Sequence, residues 1–263
     1  MNAAAMPGGS ISFGSRTVSR LGLGTMRLTG SGTWGDPSDP DRARAVLRTA
    51  VSDLGITHLD TADAYGPHTV EELIRDTLQP YPADLLIATK VGMIRPGPNR
   101  WCPLGRPDYL RAAAEASLRR LGTDHLGLCY LHRVDAAIPL ADQVGVLADL
   151  HTEGKIGEIG LSKVTPEQIT EAAAITPIAA VQNPFNLDEP DDPAVDHCAR
   201  NGVTYVPYRP LNTGKLAVDG VEHALRWLLN RGDHLALIPG TSNRAHLAEL
   251  ATATASFTNT KRE

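Results

Sequence analysis

Six positions carry the chemistry this chain can do. Asp60, Lys90, His132, Ser162, Gln182 with Asn183, and Tyr208 each stand at the C-terminal end of a short apolar run. Lys90 and Asp60 are expected to pair, because a buried ammonium needs a carboxylate partner. Tyr65 follows Asp60 by five residues, in the stretch TADAYG. A phenol is a poor proton donor or acceptor near neutrality, and a neighbouring ammonium is expected to lower its pKa by favouring the phenolate. His132 can hydrogen-bond and orient the same reacting oxygen. Together the set suits protonation of a developing alkoxide. Acyl transfer is disfavoured, since no serine or cysteine nucleophile has an evident base beside it. Metal chemistry is disfavoured too, since no HxxxH or His/Asp/Glu cluster is present.

The elements that must position these groups follow from hydrophobic periodicity. A hairpin is predicted over 11–18, around Gly14-Ser15, after a frayed start at 1–10. Strands are predicted at RLGLGT (20–25), ITHLD (56–60), DLLIATK (84–90), LGLCYLH (126–132), IGEIGLS (156–162), AAVQN (179–183), TYVPY (204–208) and LALIPG (235–240). Helical patterns fall between them. Asp39-Pro40 starts the first, a helix spans about 69–78, and Thr165-Pro166-Glu167-Gln168 reads as a capping box. Further helices are expected over about 193–201 and 221–230. Eight strands alternating with helices imply parallel pairing and an α/β fold of the closed (β/α)8 TIM barrel type, in which active sites lie at the C-terminal strand ends. An open doubly wound sheet is the alternative.

Composition narrows the function classes. The chain has 263 residues, 42% hydrophobic and 21% charged, which allows a large single core over 11–250 with a short tail at 251–263. A net charge of −5, from 25 basic and 30 acidic residues, gives no broad cationic field for nucleic acid or an anionic membrane. No apolar run is long enough for a membrane span, and no secretory signal opens the chain. Cys102, Cys129 and Cys198 fit neither a disulfide framework nor a zinc spacing, so a reduced, cytoplasmic setting is expected. The stretch Gly30-Ser31-Gly32-Thr33-Trp34-Gly35 fits GxGxxG, but DPSDP follows where a dinucleotide fingerprint needs a helix. It is expected to be a flexible loop over the barrel mouth. Trp34 in it, and Trp101 in the loop after the third strand, are candidates for lining a substrate pocket. Cys129 is expected to be plain core.

Seven motifs, in order, resemble the aldo-keto reductases: GLGTM (22–26), HLDTADAYG (58–66), IATKVG (87–92), YLHRVD (130–135), GLSKV (160–164), VQNPFN (181–186) and IPGTSN (238–243). The resemblance runs from about 10 to 250. It implies a TIM barrel that uses NADP(H) without a Rossmann domain. It implies Tyr65 as general acid, Lys90 as the group that lowers its pKa, Asp60 as the holder of Lys90, and His132 as the residue that orients the carbonyl. It implies a nicotinamide stacked on Tyr208, with Ser162, Gln182 and Asn183 near its carboxamide and Gly24, Thr25 and Met26 on the cofactor side. Ser242, Asn243 and Arg244 open the last helix, and an anion-binding helix start beside an arginine suits the 2′-phosphate of NADP.

Three departures from the family pattern stand out. Lys163 occupies a position where the family usually has Asn, the segment between Tyr208 and Val221 is short, and Leu250 replaces the Asn that usually follows Glu249. The short segment implies weaker nucleotide retention or a more open site. By resemblance the activity is reduction of an aldehyde or ketone, with pyridoxal a candidate because GSGTWGDPSD and AYGPH resemble a bacterial branch that includes pyridoxal reductases. Two alternatives remain. One is a nucleotide-binding barrel with little turnover, acting as a redox sensor or partner protein. The other is an aldolase using Lys90 as a Schiff base.

Overall fold

Side chains alternate across a strand, so the period of two decides which residues look into a barrel and which look out. The computed structural model describes residues 6–218, 220–255 and 257. β1 (Ser10–Phe13) and β2 (Arg16–Ser19) form the expected antiparallel hairpin. Seven strands build a parallel sheet: β3 (Leu23–Gly24), β4 (His58–Asp60), β5 (Leu86–Val91), β8 (Leu126–Leu131), β9 (Ile156–Ser162), β10 (Ala180–Gln182) and β11 (Thr204–Tyr205), adjacent in that order. A second hairpin, β6 (Met93–Gly97) with β7 (Arg100–Pro103), follows β5. The last predicted strand is reduced to isolated parallel bridges. Leu235 pairs with Tyr205, Leu237 with Leu21 and Gly240 with Gly24. Both edges of the sheet therefore meet the same segment, and the sheet closes on itself. Pro239 has no N–H to give to a ladder, which accounts for the broken pairing there. Closure is tight at Gly24, where a Cβ would stand 2.6 Å from the Ile238 carbonyl oxygen.

The helices are α1 (Pro40–Arg48), α2 (Thr69–Leu78), α3 (Pro107–Leu121), α4 (Leu140–Thr152), α5 (Pro166–Ala173), α6 (Pro193–Asn201), α7 (Val221–Leu229) and α8 (Arg244–Thr254). The start signals act as read. Asp39 accepts from the Arg42 N–H at 2.9 Å, and the Thr165–Gln168 capping box forms in both directions. No helix among the described residues is long and apolar enough to cross a membrane.

Two apolar layers result. Leu59, Val91, Cys129, Leu131, Leu161 and Val181 look outward and pack with the helices. Leu86, Ala88, Leu128, Tyr130, Ala180, Val206, Ala236 and Ile238 look inward, and Ile11, Phe13 and Val18 of the first hairpin join them from below. Continuing the inward register by two residues gives Lys90 after Ala88 and His132 after Tyr130. Apolar residues fill the barrel's lower and middle parts, and polar ones take over at the C-terminal ends.

Several expectations change. The chain start is folded from Met6 onward, with Pro7 and Gly9 accepting from the backbone of Leu21 and Arg20, while 1–5 lie outside the described residues. Trp101 lies on β7 rather than in an irregular loop. The hairpin turns at Pro98-Asn99, with Asn99 at φ +55°, a conformation asparagine tolerates. Segment 30–35 is tied down rather than flexible. It contains a tight turn at Ser31–Thr33, and Trp34 bridges Gly66. Its glycines serve that turn, since a Cβ on Gly30 would meet the Trp34 carbonyl oxygen and Gly32 sits at φ +69°. The last helix extends into the predicted tail, to Thr254, and 258–263 lie outside the described residues.

Candidate active site

Lys90 is the hub of the barrel's upper end, with its side chain 1% exposed. Its Nζ donates to Asp60 Oδ1 at 2.5 Å, to the Thr61 carbonyl oxygen at 2.8 Å and to Tyr65 Oη at 3.3 Å. Those are the three hydrogens an ammonium has. The second oxygen of Asp60 accepts from Gln182 Nε2 at 2.7 Å, so the carboxylate is held from two strands. Thr25 ties β3 to the same place, its hydroxyl donating to the Asp60 carbonyl oxygen at 2.9 Å. Tyr65 reaches the centre because the chain after β4 turns back over the mouth, the Thr61 N–H donating to Ala88 O and the Asp63 N–H to Lys90 O. The expected four-residue set is assembled.

Burial, the largest influence, opposes the Lys90 charge, yet Asp60 and Tyr65 outweigh it and the pKa is raised above the ordinary lysine value. The lysine is a fixed cation. Lys90 does lower the Tyr65 pKa, but it is not the largest influence there. Burial raises the phenol's pKa more than Lys90 lowers it, so Tyr65 keeps its proton and Lys90 acts as a counterweight. Burial, together with Lys90, Arg133 and Arg95, holds His132 well below the usual histidine range. His132 is therefore a neutral imidazole, and one ring nitrogen can donate to a substrate oxygen. The Tyr65, His132 and Trp101 rings meet edge to face, with centroids 6.1–6.4 Å apart.

The predicted cofactor residues divide. Ser162 and Gln182 are register partners on β9 and β10, and Tyr208 pairs just beyond them with its ring half-buried. Two guanidiniums flank that ring, Arg133 at 5.5 Å and Arg209 at 6.0 Å. Arg133 also donates to Ser162 Oγ at 2.8 Å. Asn183 is committed to the fold. Its Oδ1 accepts from the Val164 N–H, and its Nδ2 donates to the Val164 carbonyl oxygen and to Asp192. Lys163 stands exposed, at φ +55°, outside the buried set. Met26 is 38% exposed on the loop after β3. Asn243 caps α8 by accepting from the Ala245 N–H at 2.9 Å, Arg244 is exposed beside it, and Arg42 Nε donates to the Ser242 carbonyl oxygen at 2.7 Å. Arg42 is thus fixed at the positive end of a helix whose first residue is the exposed Arg244, a start that could take a phosphate. A half-buried ring beside the Ser162 hydroxyl, flanked by Arg133 and Arg209, and a cationic helix start are the groups that would meet a dinucleotide such as NADP(H).

Sequence reasoning missed three groups. Arg133 follows His132 in YLHRVD and was hidden by its neighbour. Arg95 reads as a loop cation, yet it is buried and bonded to four backbone carbonyls. Glu71, in the polar start of α2, is fully buried and accepts from Thr89, Ser117 and Arg120. Only residue-by-residue contact reveals these, because charged residues in loops and helix starts ordinarily face water.

Comparison with known proteins shows what the chain is similar to. The sequence profile of the Aldo/keto reductase family matches residues 20–221. The chain is 40% identical over 256 residues to an uncharacterized oxidoreductase of Schizosaccharomyces pombe, covering 92% of this chain and 83% of that protein. It is 38% identical over 264 residues to the pyridoxine 4-dehydrogenase of Escherichia coli K12, covering 93% and 92%. Among solved structures, a thermostable aldo-keto reductase in complex with the inhibitor epalrestat superposes with a TM-score of 0.80 at 29% identity, covering 93% of each chain.

Proposed function

This chain belongs to the aldo/keto reductase family of oxidoreductases, and from that premise we propose that it reduces an aldehyde or ketone to the alcohol with NADPH. The observation that carries the reading is the 3.3 Å contact between Lys90 Nζ and Tyr65 Oη, with the His132 ring centroid 6.1 Å from that of Tyr65. NADPH, when bound, supplies the hydride that the carbonyl carbon accepts. Tyr65 gives its phenolic proton to the carbonyl oxygen. The high pKa imposed by burial keeps that proton available at neutral pH, and Lys90 stabilises the phenolate left behind. Asp60 keeps Lys90 charged and in place. His132 donates to the same oxygen and fixes its direction. Tyr208 and Ser162 would hold the nicotinamide side. Ser242, Asn243, Arg244 and Arg42 would hold the phosphate of the adenosine side, and that double cation is why we assign NADP rather than NAD. Gly24, Thr25 and Gln182 act indirectly, by closing the barrel and holding Asp60.

The proposed substrate is a planar aldehyde of the pyridoxal type. Support comes from the name of the Escherichia coli relative and from the aromatic mouth formed by Tyr65, Trp101 and His132, with Trp34 beside it. A Schiff-base role for Lys90 is disfavoured, because its nitrogen is a fully engaged ammonium with no lone pair to attack a carbonyl. NADPH titration by fluorescence, followed by absorbance at the NADPH band with a panel of aldehydes including pyridoxal, tests the reading. Saturable, aldehyde-dependent NADPH oxidation is expected. Binding of NADPH with no oxidation across the panel would instead favour the sensor-like barrel.

A further inference from the structure

Arg95 on β6 is 9% exposed, and burial lowers its pKa with no carboxylate to offset the effect. Its charge is met by backbone dipoles and indole rings, with no carboxylate paired to it among the described residues. Nε donates to the Arg100 carbonyl oxygen at 2.9 Å, Nη1 to Thr33 O at 2.7 Å and to Ala64 O at 2.8 Å, and Nη2 to Gly32 O at 2.9 Å. These four acceptors belong to three separate segments: the tight turn at 31–33, the loop that carries Tyr65, and the second hairpin. The guanidinium carbon lies 3.6 Å from the Trp101 ring centroid and 5.8 Å from that of Trp34. Trp101 in turn meets Tyr65 edge-on at 6.4 Å and His132 at 6.2 Å.

Burying an unpaired cation is expensive, and an aliphatic side chain could fill the same space. What an aliphatic chain cannot do is bind carbonyls in three segments at once while stacking on an indole. A lysine cannot either, since its donors radiate from one nitrogen and it has no plane. One of the bonded carbonyls, that of Ala64, is joined directly to Tyr65. Arg95 therefore reaches the proton donor by two routes, through the backbone and through the Trp101 ring.

We propose that Arg95 is a positioning residue that sets the width and depth of the carbonyl pocket, by clamping Trp101 and the 31–33 turn with Trp34 against Tyr65 and His132. It touches neither the reacting carbonyl nor the cofactor. It decides how closely a planar aldehyde is held beneath the Tyr65 hydroxyl, and so acts on substrate affinity and selectivity. The inference rests on the carbonyl-reducing reading of the site, but its first test does not.

Arg95→Met and Arg95→Lys are compared with the unaltered enzyme. Without any substrate, acrylamide quenching of tryptophan emission is expected to rise by about twofold in both variants, because Trp34 and Trp101 lose their clamp. Fluorescence titration should give an NADPH affinity within about twofold of the parent. In turnover, KM for aromatic aldehydes should rise about tenfold or more while kcat changes by less than about threefold, and the preference for aromatic over small aliphatic aldehydes should shrink. Unchanged quenching with unchanged KM would overturn the inference. So would a parallel fall of kcat, NADPH affinity and melting temperature, which would mark Arg95 as a general structural part. If Arg95→Met fails to fold, Trp101→Leu on the half-exposed hairpin face should give the same KM rise, and its absence would overturn the inference equally. If the parent enzyme turns over no aldehyde, the function proposed above fails, while the quenching result still decides whether Arg95 clamps the mouth.

Discussion

Thr89 and Lys90 are neighbours on β5, and each faces a buried ion pair on its own side of the barrel wall. Inside, Lys90 meets Asp60 at 2.5 Å, with side chains 1% and 3% exposed. Outside, Thr89 bonds Glu71, which pairs with Arg120 at 2.6 Å, with side chains 0% and 14% exposed. Burial and charge are almost the same, so neither marks a site of chemistry. The difference lies in what completes each network. The outer carboxylate accepts from Thr89, Ser117 and Arg120, and every one of those groups belongs to the packing of α2 and α3 on the wall. The inner ammonium directs its third hydrogen to a phenol, which carries a proton it can give away. A buried pair becomes reactive when its last partner carries a transferable proton at the C-terminal mouth of the barrel.

The sharpest way to break this comparison is to remove one cation from each side. Lys90→Met is expected to lower kcat by at least about 10³-fold, because the phenolate loses its stabilising charge and Asp60 its partner. Steady-state turnover with saturating aldehyde measures this, and a loss of less than tenfold would place Lys90 outside the mechanism. Arg120→Met leaves Glu71 buried and unpaired, and should lower unfolding stability by about 3–5 kcal/mol in urea titration. Below its unfolding transition it should keep kcat within about threefold of the parent. Loss of both properties in both variants would erase the distinction between the two networks.

A smaller effect concerns the barrel's lower interior, where His58 packs against the Phe13 ring at 4.7 Å. Burial, the largest influence, lowers its pKa to about 4, so it folds as a neutral ring. Below pH ~6.5 the unfolded chain takes up a proton that the folded chain refuses, so stability falls as pH drops toward about 4. The loss is at most about 3 kcal/mol over that window. Thermal melts from pH 7 to pH 4 should show it, and His58→Asn should flatten the slope. An unchanged slope in that variant would assign the acid sensitivity to other groups.

Much of this was readable beforehand, for reasons that follow from particular residues. Asp60, Lys90 and His132 stood out because a polar residue ending an apolar run has few bland explanations when the pattern repeats on successive strands. Asp39-Pro40 and Thr165-Pro166 marked helix starts through local chemistry that needs no tertiary context. The second hairpin escaped because 93–103 contains Pro, Gly and Arg where strands usually carry β-branched residues. The strand at 235–240 was legible in composition, yet Pro239 limits its ladder. Arg95 and Glu71 were invisible because their burial depends on segments far away in sequence. The burial that outweighs Lys90 at Tyr65 is illegible in the sequence for a similar reason. The helpful lysine is five-and-twenty residues away and was identified, whereas the desolvation that outweighs it comes from the whole mouth closing over the ring.

The claim on which the account turns is that Tyr65 delivers the proton. NADPH oxidation by Tyr65→Phe, measured beside NADPH binding in the same preparation, tests it most directly. The account predicts a fall in turnover of at least about 10²-fold with nucleotide affinity retained. Turnover equal to that of the parent enzyme would contradict it.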